Sequence, residues 1–291
     1  MRKGDLPKDR ASLVVHGKDR RGIVTAVSGV LTRHGANIVS LDQHSDDPDG
    51  GEFFQRTVFH LPDFAAHRPS LEADLDAVAG GDLGLQWRLR DLAVPLRVAI
   101  LASTSDHCLL DLLWRERRGD LPIDVQMVIS NHTVVADDVR FFGIPFFHVP
   151  SIAGNDKSES EAQIVKLLAG NVDLVVLARY MQIVSGSFLQ EIAVPVMNIH
   201  HSFLPAFIGA APYKKAKERG VKLIGSTAHY VTEELDQGPI IEQDVVRVSH
   251  ELSLAEMIQR GANVERQVLA RAVLWHCQDR VIAHDNRTIV F

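Results

Sequence analysis

Between residues 11 and 89 the apolar positions change period every few residues, which predicts a compact unit of strand, helix, strand, strand, helix and strand. Residues 11–16 have the length and apolar character of a short strand. Asp19-Arg20-Arg21-Gly22 then reads as a turn, and Ile23, Val27, Val30 and Leu31 recur along one helical face. His34-Gly35-Ala36-Asn37 closes that helix. Residues 38–44 and 52–60 read as strands around Asp46-Asp47-Pro48-Asp49-Gly50-Gly51, a hairpin loop. A second helix near 69–78 and a strand near 85–89 complete the unit.

From Leu96 the rhythm changes. Apolar runs at 96–101, 125–129, 146–149, 173–177 and 194–199 alternate with segments long enough for helices. Runs of this kind suit strands buried on both faces of a mostly parallel sheet with right-handed crossovers. Residues 225–231 and 239–248 look like further strands, and the periodic stretch 253–284 predicts a long terminal helix. The shift in rhythm at 91–95 predicts two domains, an α+β unit over 1–92 and an α/β unit over 93–291.

Composition narrows the function. A chain of 291 residues with 46% hydrophobic and 23% charged residues can bury two cores. Its formal charge of −6 offers no basic field for a phosphate backbone, so nucleic acid is not an expected partner. Cys108 and Cys277 belong to no CxxC pair, which argues against a disulfide framework or a structural zinc and fits a reducing cytoplasm. No window approaches 18 uninterrupted apolar residues, and residues 1–10 lack the apolar core of an export signal, so neither a membrane span nor secretion is expected.

The densest chemical cluster is Asn198-Ile199-His200-His201-Ser202-Phe203-Leu204-Pro205, where an apolar strand runs out into polar residues. Open parallel sheets place their sites at such strand ends. Asn198 and His200, two apart, project to one face, and His201 to the other if the strand extends that far. Asp236 lies in a turn-rich loop between two apolar strands and can reach the same end of the sheet. Taken singly, each residue also has a structural reading: Asn198 as a turn cap, His200 as a hydrogen-bonded core histidine, Asp236 as a turn former ahead of Gly238. His200, His201, His229 and Asp236 have the ligand types for zinc or iron, yet no HExxH or comparably compact spacing accompanies them. Ala102-Ser103-Thr104-Ser105-Asp106-His107, after the first parallel strand, has no glycine and carries an aspartate, so a phosphate cradle is not expected there. The segment around Gly154, residues 151–157, reads as a loop.

The run Asn198 to Phe207 resembles the N-x-H-x-S-x-L-P signature of the formyltetrahydrofolate-dependent formyltransferase superfamily, whose catalytic aspartate follows about 36 residues later; Asp236 stands 36 residues after His200. His107-Cys108-Leu109-Leu110-Asp111-Leu112-Leu113, Ala178-Arg179-Tyr180-Met181 and Gly225-Ser226-Thr227-Ala228-His229-Tyr230-Val231 resemble its deformylase branch in particular. The resemblance runs from end to end, and the N-terminal unit resembles a ferredoxin-like, ACT-type amino-acid-sensing domain. It implies a Rossmann-like catalytic domain that hydrolyses 10-formyltetrahydrofolate to formate and tetrahydrofolate, serving one-carbon folate pools and purine biosynthesis. Water would be co-substrate, with no cofactor and no metal. Asn198, His200 and Asp236 would be catalytic. Tyr180, Met181, Gln182, Ile183 and Val184, with Val231, Thr232 and Glu233, would line the pterin pocket, though Tyr180 and Met181 by themselves also fit an ordinary core. Gln182 stands where relatives often carry arginine. Asp19, Gly22, Ile23 and Asn37 match effector positions of such domains, though Asp19 also fits a helix cap and Asn37 a turn. A homo-oligomer formed through the N-terminal domain is expected. The rival readings are a formyltransferase acting on an amine such as glycinamide ribonucleotide, and a non-enzymatic amino-acid or folate sensor.

Overall fold

The computed structural model describes residues 8–151, 157–206 and 212–291. The core of the loop read around Gly154, Phe207 at the end of the signature, and residues 1–7 lie outside them. The chain forms two compact units. One holds the described residues up to Pro95 together with Gln278–Ile282 and Ile289–Phe291, and the other holds Leu96–Cys277 with Ala283–Thr288.

In the N-terminal unit, β1 (Arg10–Lys18), α1 (Ile23–Arg33), β2 (Asn37–Ser45), β3 (Glu52–His60), α2 (Phe64–Leu75) and β4 (Gln86–Asp91) follow in order. The four strands form an antiparallel sheet in the order β2-β3-β1-β4. Leu13 and Val15 of β1 face the core with Val27 and Leu31 of α1 and Leu71 and Leu75 of α2. Side chains alternate along a strand, so Val14 takes the opposite face, where it joins Phe54 and Ile282 in a second small core. The α1 stripe read from the sequence is the buried stripe: Ile23, Val27, Val30 and Leu31 are all buried. Gly22 precedes the helix at φ 92°, a backbone conformation that costs glycine nothing and an L residue about 1–2 kcal/mol.

Two expectations for helices need correction. The second helix spans Phe64–Leu75 and continues as a π-helical stretch, Asp76–Asp82, instead of occupying 69–78. Pro69, where the helix was expected to begin, sits inside it, and the fold tolerates the missing backbone donor there. The terminal helix ends at Cys277, not at 284. Asp279 adopts φ 51°, and its buried carboxylate accepts hydrogen bonds from Ser12 and, at 2.9 Å, from Arg88. Val281 and Ile282, which continued the apolar pattern, belong to a strand, β12 (Val281–His284), paired with β13 (Arg287–Val290). The interval 93–291 is therefore not one unit throughout, because tertiary packing places Gln278–Ile282 with the N-terminal sheet.

The larger unit is built from β5 (Leu96–Ala102), α3 (His107–Arg118), β6 (Ile123–Ser130), α4 (Ala136–Phe141), β7 (Phe146–His148), α5 (Ser158–Leu168), β8 (Leu174–Ala178), α6 (Gly186–Ile192), β9 (Val196–His200), α7 (Pro212–Arg219), β10 (Leu223–Tyr230), β11 (Ile240–Arg247) and α8 (Leu254–Cys277). Its sheet runs β11-β10-β9-β8-β5-β6-β7, parallel from β9 to β7 and antiparallel at β10 and β11. Ala99, Leu101, Val175, Leu177 and Val196 face Ile164 and Leu168 of α5 and Phe188 and Ile192 of α6. On the other face α8 packs against α3 and against β9, β10 and β11. Strand order reverses between β5 and β8. In doubly wound sheets that reversal opens a crevice at the carboxyl ends of the strands, where ligands bind.

Candidate active site

Asn198 and His200 occupy alternate positions at the end of β9, on the face shared with Val196 and so with α5 and α6. Antiparallel pairing sets His229 of β10 directly opposite Asn198. Beyond Tyr230 the chain loops back to β11, and this loop carries Asp236 at φ 57°. Gly238 makes the return possible: a Cβ there would lie 1.8 Å from the Tyr230 carbonyl oxygen. The loop closes on a 2.9 Å hydrogen bond from Tyr230 N to the Pro239 carbonyl.

These residues form one connected polar set. Asp236 Oδ1 lies 3.2 Å from His200 Nδ1 and 3.7 Å from His229 Nε2. His229 Nδ1 is 2.9 Å from the Tyr230 carbonyl, which can only accept, so Nδ1 carries the hydrogen. His229 Nε2 is then the acceptor for the Asn198 amide nitrogen at 3.2 Å. Burial lowers the His229 pKa and keeps that ring neutral, the form this arrangement requires. The hydrogen bond with His200 holds the Asp236 carboxyl below its ordinary value, against the opposing effect of burial. His200 is 6% exposed, and its Nε2 is buried with no hydrogen-bond partner. A buried ring nitrogen left open beside a carboxylate and an amide suits a substrate atom.

A groove runs past these groups. Gln182, Ile183 and Val184 form one wall, and the other runs from Val231, Thr232 and Glu233 to Asp236. Two of the expected pocket residues lie elsewhere. Tyr180 is buried in the core beneath α5 and α6, where burial and nearby Glu161 push its hydroxyl up to about 12. Met181, at φ 60°, is 59% exposed. The left-handed backbone at Arg179 and Met181 turns the chain so that Val184 returns to the core while Ile183 stays exposed. Gln182 meets the groove, and its Oε1 is buried without a partner.

The rest of the signature builds the turn. Ser202 Oγ donates to the Ala206 carbonyl at 2.9 Å, and Thr227 Oγ1 accepts from Leu204 N at 3.0 Å before the cis Leu204-Pro205 bond. His201 projects to the α3 and α8 face, and burial followed by the nearby Arg179 charge brings its pKa down to about 4. His200, His201, His229 and Asp236 therefore do not converge as a ligand cage. The group of described residues whose ligand atoms do converge, within 4.8 Å, is His107, Cys108 and Glu265. Burial, then Glu265, raises the Cys108 thiol well above its ordinary value, and the Arg179 guanidinium, 3.5 Å from Glu265, repels any second cation.

In the N-terminal unit, Asp19 caps nothing: its carboxylate accepts from the Ser45 hydroxyl, and α1 has no side-chain cap. Gly22 and Asn37 lie at the two ends of α1 and its following turn, while the Ile23 side chain is core. His229 is the residue whose part the sequence did not reveal. The available signal was its place in the run 225–231 read as a strand, but register with Asn198 exists only once the strands pair.

The fold and this polar set define a formyltransferase-type catalytic domain, preceded in the chain by a small α+β domain. The formyl transferase family model matches residues 96–273 and the ACT domain model residues 11–76. A formyltetrahydrofolate deformylase of Mycobacterium tuberculosis is 59% identical over 283 residues, 97% of this chain and 91% of its own length. The crystal structure of a formyltetrahydrofolate deformylase from Pseudomonas syringae superposes with a TM-score of 0.89 at 45% identity, covering 97% of this chain and 94% of that one. A glycinamide ribonucleotide transformylase from Symbiobacterium toebii superposes at 0.63 and 31% identity, over 68% of this chain and 94% of its own. The chain belongs to the formyltetrahydrofolate deformylase family. Among the described residues no helix is long and apolar enough to cross a membrane.

Proposed function

We propose that this chain hydrolyses 10-formyltetrahydrofolate to formate and tetrahydrofolate at Asn198, His200 and Asp236. The observation that carries the reading is the open, buried Nε2 of His200, whose ring is held by Asp236, next to a groove lined by Asp236 and Asn198. A flat pterin needs apolar walls with a few polar groups, and Ile183, Val184 and Val231 beside Gln182, Thr232 and Glu233 supply that mixture.

The chemistry follows from the charges that develop. As water attacks the formyl carbon, the carbonyl oxygen becomes negative. Asn198 spends one amide hydrogen on His229 and keeps the other for that oxygen. With His200 Nδ1–H directed at Asp236, a donor at Nε2 requires the cationic ring, whose charge the carboxylate 3.2 Å away balances. Asp236 orients the water and receives its proton. A carboxyl held below its ordinary value does not keep a proton, so the proton passes on to the leaving folate nitrogen through His200 or water. Water is the only co-reactant in this scheme, with no metal or cofactor. Its place would be the cytoplasm, where formate and free folate serve purine biosynthesis.

The deciding measurement is release of formate and tetrahydrofolate by the purified chain from 10-formyltetrahydrofolate, without an amine and after exhaustive chelation. No formate without an added amine would sink the hydrolase reading, and reversible loss of turnover on chelation would sink the metal-free one. The N-terminal unit fits a regulator that pairs with its copy in another chain and takes an amino acid near Asp19, Gly22, Ile23 and Asn37. Calorimetry against the common amino acids, with sedimentation, tests this; no binding together with a monomer would remove it.

A further inference from the structure

On the α3 and α8 face, one residue past the reaction centre, lies a buried charged cluster that the proposed mechanism leaves unused. Glu265 of α8 is 1% exposed. Its carboxylate accepts from Tyr213 Oη at 2.6 Å and from His107 Nε2 at 2.8 Å. Arg179 adds charge 3.5 Å away, and its Nε and Nη1 make no hydrogen bond. Burial works against the Glu265 anion, but the His107 hydrogen bond and the Arg179 charge hold its pKa down at about 2. A buried carboxylate kept ionised in this way is costly to assemble, and its desolvation is offset only while every partner stays in place. The cluster leads directly to the active site through ring contacts, with Tyr213 6.0 Å from His201 and His201 5.3 Å from His200.

Its position is informative. The groove past Asn198 opens on the α5 and α6 face, so on the hydrolase reading folate would occupy that side of the formyl carbon. The other side is the crevice at the β5 and β8 reversal, a place where ligands enter in this architecture. His107 begins the helix after β5, Arg179 follows β8, and Glu265 comes down from α8, so the crevice is closed by side chains bonded to one another. The packing is specific: a Cβ on Gly261 would lie 2.1 Å from Tyr213 Oη, so α8 has a glycine where the phenol presses against it. On its other side Tyr213 walls, with His201, a mostly apolar cavity of about 330 Å³.

We propose that Tyr213, Glu265, His107 and Arg179 form a plug on the acceptor side of the reaction centre, and that this plug decides hydrolysis over formyl transfer. The proposal rests on the hydrolase reading of the site. Water reaches the formyl carbon past the plug, and an amine of several heavy atoms does not. With the plug opened, an amine nitrogen attacks the formyl carbon, the bond from that carbon to the folate nitrogen breaks, the amine gives up one proton, and the folate nitrogen gains one. The products are then an N-formyl amide and tetrahydrofolate, with no other reactant.

The test measures how turnover divides between formate and N-formylglycinamide, by mass spectrometry, for the full chain given 10-formyltetrahydrofolate and excess glycinamide. The wild type gives formate. Tyr213→Ala raises the amide-to-formate ratio about 10–100-fold, the scale on which pocket shape discriminates, while Tyr213→Phe keeps the ring and gives formate. His107→Gly opens the crevice from the other end, and with Tyr213→Leu it reads the same ratio should Tyr213→Ala unfold. The proposal is overturned if folded opening variants that still release tetrahydrofolate give the wild-type ratio, or if the wild type itself formylates glycinamide. Absence of formate from the wild type in amine-free buffer removes the hydrolase reading instead, and the plug with it.

Discussion

Replacing Asp236 with Asn keeps the shape of the side chain and removes its charge, which separates geometry from chemistry. The side chain is 10% exposed and faces His200 Nδ1 at 3.2 Å, so the substitution exchanges a charge-assisted hydrogen bond for a neutral one. That exchange alone is worth about 1.5 kcal/mol, roughly a tenfold loss in rate. Loss of the group that receives the water's proton adds about 10²–10⁴-fold, or ~3–5 kcal/mol on the barrier. The acid–base contribution therefore dominates, and kcat falls by at least about 10²-fold. Substrate affinity changes little, because the groove walls at Ile183, Val184 and Val231 are untouched. Single-turnover release of tetrahydrofolate measures the chemical step, and ligand fluorescence measures binding. A folded Asp236→Asn variant within about tenfold of wild-type kcat would refute the role of this carboxylate.

Three further outcomes follow from the same geometry. His229→Leu deprives the Asn198 amide of its acceptor, so kcat drops about 10²-fold with KM nearly unchanged, and His229→Gln, which restores an acceptor, recovers part of it; equal activity of Leu and wild type would show that Asn198 needs no positioning. Gly261→Ala drives a methyl group into Tyr213 and costs about 1–3 kcal/mol, read as a lower urea midpoint, whereas an unchanged midpoint would mean that the contact relaxes freely. Buried neutral His201 titrates at about 4, while in the unfolded chain it takes up its proton near the ordinary histidine value of about 6.5, so its contribution to stability is full above that value and is lost as pH falls towards 4. His201→Asn removes that part of the pH dependence; urea midpoints that fall equally in both proteins across this window would contradict the assignment.

The apolar periodicities of the chain determined which segments become strands and where the architecture changes. Burial at period two or 3.6 is a local property, written wherever one face of an element meets a core. The stripe of Ile23, Val27, Val30 and Leu31, and the unbroken apolar runs of β5 and β8, could be read without any partner in view. Asn198 and His200 were legible for the same reason, since two residues at i and i+2 on a strand share a face whatever surrounds them. Only tertiary structure decided the rest. Local pattern cannot say that the run through Val281 and Ile282 leaves the helix to cover Val14 and Phe54, because the reward is a contact more than 200 residues away. Nor can it say that Tyr180 is core while Gln182 meets the groove, which depends on the left-handed backbone at Arg179 and Met181. His229 gains its part from strand register; Glu265 and Tyr213 carry no signal in the sequence, and His107 and Arg179 stand in separate family-like segments that nothing local connects. Their charges become coupled only where four elements converge and water is excluded, and that exclusion is a property of the packed fold.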